Sequence, residues 1–176
     1  MKTNFKLPTL ICVSCFIALT AFKTDKGEKK PVVNSYQISL LGKNGSNSGE
    51  QWTWELVNPN PGNGNNGTLQ NVSHWDMALP PEAEAALVSA EYSRDGITWF
   101  SVPLEMERDP SIRMCTSIDV LKFDVGTTGS DPVYYRVTFD QEFQYSAYAT
   151  SYIKTGGGLK GCNLYYFGGV GSQQSE

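Results

Sequence analysis

One histidine, His74, stands in the whole chain of 176 residues, and this scarcity excludes more chemistry than any motif supplies. A closed zinc centre made of histidine and cysteine needs four such ligands. Only Cys115 and Cys162 lie beyond the N-terminal segment, so that count is not reached. No Gly-x-Ser-x-Gly elbow occurs, and no glycine run carries the Lys-Ser/Thr of a phosphate-binding loop. No apolar run reaches the roughly 20 residues of a spanning helix. Charge is also thin, at 18% of residues against about 25% in ordinary soluble domains. From residue 31 onward, 8 basic residues face 16 acidic ones. An acidic chain without a basic stripe argues against nucleic acid and against anionic membrane surfaces as partners.

What is abundant is glycine, asparagine, serine, threonine and tyrosine. Turns draw on the first three and strands on the last two, which fits an extracellular β-protein. The N-terminus agrees. Met1–Lys6 carries two lysines, 7–22 is apolar, and polar residues begin at Lys23. This pattern predicts a secretory leader over 1–21, followed by a flexible spacer over 22–34. The alternative is a lipoprotein acylated at Cys15, with Val13-Ser14-Cys15 as an imperfect acylation motif. After the leader, Cys115 and Cys162 form an even pair in a chain bound for an oxidising compartment, extracellular or periplasmic, and are expected to be disulfide-bonded. No cofactor is implied.

Alternation sets the fold expectation. Over Gln51–Asn58, Trp52, Trp54 and Leu56 share one face, the period-two signature of a strand. Tyr36, Ile38 and Leu40 alternate likewise. The Asn/Gly/Pro-rich segment 58–71 reads as one long ordered loop, and 72–79 resumes as a strand. A single helical turn at most is expected over 82–86. The segments 87–93 and 97–102 predict a hairpin about Asp95-Gly96. Segment 103–116 reads as irregular and solvated, with Glu105, Glu107 and Asp109 as surface charge. Strands are then expected at 121–125, 133–143, 147–153 and 164–167. Eight or nine antiparallel strands over residues 35–170 predict an all-β two-sheet sandwich, with a barrel as the alternative and a loose tail over 171–176.

The order WTWEL, SHWDMALP, an Asp-Gly hairpin followed by a tryptophan, and LKFDVGTTGSDPVYYRVTF resembles a family of secreted bacterial β-rich proteins. In that family a Trp-rich strand, an "SHW" strand and a "KFD…YYR" hairpin recur in the same order. The resemblance spans Tyr36–Gly168. It implies secretion and a β-rich fold, and it supplies no substrate.

Ser73, His74 and Asp76 invite a catalytic-triad reading that strand geometry defeats. Neighbours along a strand point to opposite faces, so Ser73 and His74 cannot meet as nucleophile and base. His74 and Asp76 do share a face, and an imidazole–carboxylate pair is expected there. Tyrosine supplies the remaining candidates. Tyr148, Tyr152 and Tyr165, with Tyr145 and Tyr166, are too many to be buried together, and exposed aromatics stack on sugar rings or on protein partners. Residues His74, Asp76, Tyr148, Tyr152 and Tyr165 are therefore the candidate ligand-binding set, with no catalytic and no metal-ligating residue assigned. The functional expectation is a secreted, non-catalytic binding or adhesion module whose partner is a glycan or a surface protein. The alternatives are a structural component of an extracellular matrix or appendage, or a polysaccharide hydrolase, which would require paired carboxylates in a cleft.

Overall fold

A computed structural model describes residues 35–44, 48–104, 106–156 and 162–172. The leader, the spacer, Cys15 and Glu105 lie outside the described residues. The chain is all-β and antiparallel: β1 (Gln37–Lys43), β2 (Ser48–Val57), β3 (Val72–Met77), β4 (Leu87–Ser93), β5 (Phe100–Val102), β6 (Met106–Glu107), β7 (Val120–Phe123), β8 (Val133–Thr155) and β9 (Cys162–Val170). One short helix, α1 (Pro81–Ala85), follows β3. Its five residues match the single turn expected there.

The organising strand is β8, 23 residues long. Where the sequence predicts two strands, 133–143 and 147–153, the chain runs on without a break. Nothing within 133–155 interrupts it, because the segment holds neither proline nor glycine. The N-terminal half of β8 pairs with β2 and β4. Its C-terminal half pairs with β3 and β9. The strand order β1-β2-β8-β3-β7-β6, with β4–β5 and β9 branching from β8, makes one connected nine-stranded sheet. It does not close into a barrel. The two layers expected of a sandwich are thus two halves of one sheet joined through β8.

Aromatic side chains fill the space between the halves. Trp54 of β2 meets Trp75 of β3 edge-on at 6.0 Å and Phe167 of β9 at 5.8 Å. Trp75 also packs on Phe123 and Tyr135, with centroids 5.7 and 4.7 Å away. Burying each such ring stabilises the fold by roughly 1.5–3 kcal/mol relative to exposure. Alternation along β2 and the first half of β8 delivers Trp52, Trp54, Leu56, Val133, Tyr135, Val137 and Phe139 to this core.

Two details aim β3. A register shift lies between Val72 and His74, so Ser73 is an added residue and the alternation restarts after it. Val72, Trp75 and Met77 reach the core while His74 and Asp76 face the other way. Beside this bulge the backbone of Gly126 crosses so closely that a Cβ would sit 1.9 Å from the Val72 carbonyl oxygen. Only glycine fits there. At the far end β9 continues to Val170, which is buried, up to the start of the segment expected to be a loose tail.

Candidate functional site

The residues singled out by the sequence divide between two places. His74 and Asp76 lie on the outer face of the second half-sheet. In register, Asp76 sits opposite Lys122 of β7 and Tyr152 of β8, and His74 opposite Lys154. The outer face is not solvated here. Residues 108–119, which take in most of the segment 103–116 expected to be irregular and solvated, fold across it as a strap. Ile112 packs with Val120 and Tyr152 in a small second core. The Cys115–Cys162 disulfide, with Cα atoms 6.2 Å apart, fastens the strap to the start of β9.

The strap overturns one expectation about charge. Asp109 is 2% exposed, because the strap turns inward at this residue. Its Oδ1 accepts the Ser111 backbone N–H at 2.7 Å and its Oδ2 accepts the Ser111 hydroxyl at 3.0 Å. Its Oδ2 also lies 2.9 Å from His74 Nε2. Three oxygens therefore crowd one imidazole nitrogen: Asp109 Oδ2, Ser111 Oγ at 2.9 Å and Asp76 Oδ2 at 3.3 Å. The expected His74–Asp76 pairing is present as an ion-pair distance, without the alignment of a hydrogen bond. Burial pushes the Asp76 carboxyl above its ordinary range, against the pull of His74. Burial raises the Asp109 carboxyl too, but the two bonds from Ser111 together with the charges of His74 and Lys122 leave Asp109 below its ordinary range. Glu107 is half-exposed and reaches only toward Lys122, at 3.8 Å.

The tyrosines separate in the same way. Tyr148 is 79% exposed on β8. Tyr152 is buried beneath Ile112 and is not open to a partner. Tyr165 is half-buried at the mouth of a cleft, where it meets Tyr36 edge-on at 6.1 Å.

That cleft is the second place. The loop between β2 and β3 is built from its own side chains. Asn58 Nδ2 donates to the carbonyls of Leu69 and Gln70, both at 3.1 Å. Asn60 Nδ2 donates to the Gly67 carbonyl, and the Thr68 hydroxyl to the Asn65 carbonyl. Gly64 and Gly67 turn the chain at φ 85° and 80°, which residues with a Cβ seldom adopt. The Tyr36 hydroxyl donates to the Gln70 carbonyl and fixes the loop over the end of β1. An open cleft of about 370 Å³ remains, lined by Tyr36, Asn63, Thr68, Gln70, Asn163 and Tyr165, among others. Among the described residues the lining holds two phenol rings, amides and hydroxyls, and no carboxylate or basic group. Burial pushes the Tyr36 phenol up to about 12 and raises that of Tyr165, so both are neutral near pH 7. Tyr36 is buried, so the aromatic surface open to the cleft is that of Tyr165; one ring edge among neutral hydrogen-bonding groups suits an uncharged, hydroxyl-bearing ligand.

Sequence reasoning found Tyr165 but not its partner Tyr36, which reads only as a core position of β1. The segment 58–71 stands out in the sequence as a loop without naming which of its amides line a cleft, and Asp109 reads there as surface charge, because both acquire their surroundings from distant segments. Comparison with family models, with curated proteins and with solved structures finds no match for this chain.

Proposed function

We propose that the chain is an extracytoplasmic, non-catalytic binding domain whose cleft takes a neutral glycan. The observation that carries the reading is the lining of the cleft: Tyr165 against the buried Tyr36, with Asn63, Thr68, Gln70 and Asn163 and no carboxylate or basic side chain among the described lining residues. Tyrosine offers a sugar ring an apolar face with little conformational entropy to lose, and amides bond its hydroxyls in both directions. The disulfide supports an oxidising compartment, and among the described residues no helix is long and apolar enough to cross a membrane. The resemblance to secreted bacterial proteins points the same way.

A glycan array probed with the mature domain tests this. Retention is expected on neutral oligosaccharides, with affinity unchanged between about pH 5 and 9, because the lining holds no group that titrates there. Tyr165→Ala should abolish it. A domain that binds no glycan, or that binds acidic glycans through Tyr165-independent contacts, contradicts the reading. A second reading, a structural component of a matrix or appendage, draws on the exposed Tyr145, Tyr148, Leu164 and Tyr166 of β8 and β9. It requires self-association, and a strictly monomeric protein in concentrated sedimentation runs would remove it.

A further inference from the structure

We propose that His74, Asp76 and Asp109 form a buried divalent-cation site, with zinc the best-fitting ion, that ties the 108–119 strap to the outer face of β3. The inference is independent of the cleft. One nitrogen and two carboxylate oxygens, each from a different buried residue, lie within 4.8 Å of one another. A tetrahedral zinc ion with bonds of about 2.1 Å holds its ligand atoms about 3.4 Å apart. The His74 Nε2 to Asp76 Oδ2 and Asp109 Oδ2 separations of 3.3 and 2.9 Å are close to that edge. Ser111 Oγ, 2.9 Å from Nε2 and 3.0 Å from Asp109 Oδ2, marks the fourth side, where it or a water completes the shell.

A second observation points inward from Asp76. Among the described residues, four buried side-chain atoms lack a hydrogen-bond partner, and two of them are the carboxylate oxygens of Asp76. The residue is 0% exposed. A buried carboxylate that accepts no well-aligned hydrogen bond, with only His74 Nε2 at 3.3 Å beside it, is costly enough that such groups pair more closely, protonate or ligate metals. The neighbouring cations do not settle the account. Lys122 Nζ stands 3.0 Å from the exposed Asp124 and 3.6 Å from the buried Asp109, so the charge it turns on the cluster is shared with an exposed acid. Lys154 is buried and donates to the carbonyls of Thr155 and Gly156. His74 Nε2 can carry one proton, which can serve only one of its three oxygen neighbours well. A divalent ion serves all of them at once.

The donor set selects the ion. Imidazole nitrogen with carboxylate oxygen suits zinc, whereas calcium takes six to eight oxygens and magnesium keeps several waters. Its chemical role is that of a cross-link parallel to the disulfide, because two ligands come from β3 and one from the strap.

The test is calorimetric titration of ZnCl2 into the disulfide-intact, chelator-treated mature protein, with X-ray absorption on the loaded sample. Saturation at one zinc per chain is expected, with a first shell of nitrogen and oxygen and no sulfur. Asp76→Asn and, separately, Asp109→Asn should each weaken the affinity at least about 100-fold, the upper range seen for losing even an outer-shell partner. Asp124→Asn, which alters only the exposed acid on Lys122, should leave it unchanged. Absence of saturable zinc binding by the wild-type protein, a sulfur-containing shell, or equal affinity in correctly folded Asp76→Asn overturns the proposal. The wild-type titration decides even where a variant fails to fold. A cluster satisfied instead by a protonated His74 predicts the first of these outcomes.

Discussion

The two faces of β3 are occupied in opposite ways. Toward the core, Trp75 and Met77 join an aromatic cluster to which β2, β7, β8 and β9 all contribute. Toward the outside, His74 and Asp76 would meet water on an ordinary half-exposed sheet, yet they are closed in by twelve residues of irregular chain held by one disulfide. The inner face is stabilised by area removed from water, spread over many contacts. The outer face depends on one small apolar cluster around Ile112, a few polar contacts and one covalent bond. Their failure modes should differ accordingly, with the first global and the second local.

The largest effect is expected on the inner side. Trp75→Ala removes the ring that touches Trp54, Phe123, Tyr135 and Phe167, and should destabilise the domain by about 3–5 kcal/mol in a denaturant titration. Next comes the covalent anchor of the outer side. Replacing Cys115 and Cys162 with serine opens a loop whose ends are 47 residues apart and should cost about 2–4 kcal/mol on the chain-entropy model. A loss as large as that of Trp75→Ala with full cooperativity would break the distinction between the faces. Ile112→Ala should cost roughly 2 kcal/mol, near the low end for buried aliphatics, because its cluster is small and its strap can collapse onto Val120 and Tyr152.

The smallest effect concerns pH at the rim of the inner face. Tyr36 is neutral when folded and its phenol is raised to about 12 by burial. A raised folded value means that its contribution to stability is complete below the unfolded value near 10 and is lost as the pH climbs toward 12. Chemical denaturation over that window should show stability falling in the wild type and falling less in Tyr36→Phe. Equal slopes would place the alkaline loss elsewhere.

The inner face is the part that sequence pattern makes legible. Trp52, Trp54 and Leu56 announce themselves by period two, and Val133, Tyr135, Val137 and Phe139 do the same on β8. The length of β8 is less visible, since Gln144–Ala147 breaks the apolar alternation while the strand runs on, its ladder to β9 shifting register between Ser146 and Ala149. His74 and Asp76 share a face, as strand geometry requires. Asp109 was invisible for a physical reason: the burial of an irregular segment is decided by what it docks on, and no local period records that. A signal was nonetheless present. Cys115 and Ile112 sit in the same charged stretch, and a disulfide to Cys162 obliges that stretch to lie against the sheet. The cleft was half legible for a similar reason. Tyr165 stood out as one of many tyrosines, while the Asn-rich loop carries nothing that says which residues roof a cavity and which bond the loop to itself.

Hydrogen exchange of the strap, compared between the oxidised and the reduced protein, tests the contrast most directly. The amides of Ser111, Ile112, Cys115 and Thr116 are hydrogen-bonded within the strap, and they should be protected while the Cys115–Cys162 bond is intact. Reduction should release them and leave the β3–β8 ladder around Trp75 protected. Strap amides that exchange freely in the oxidised protein, or a ladder that loses protection together with the strap, would contradict the account.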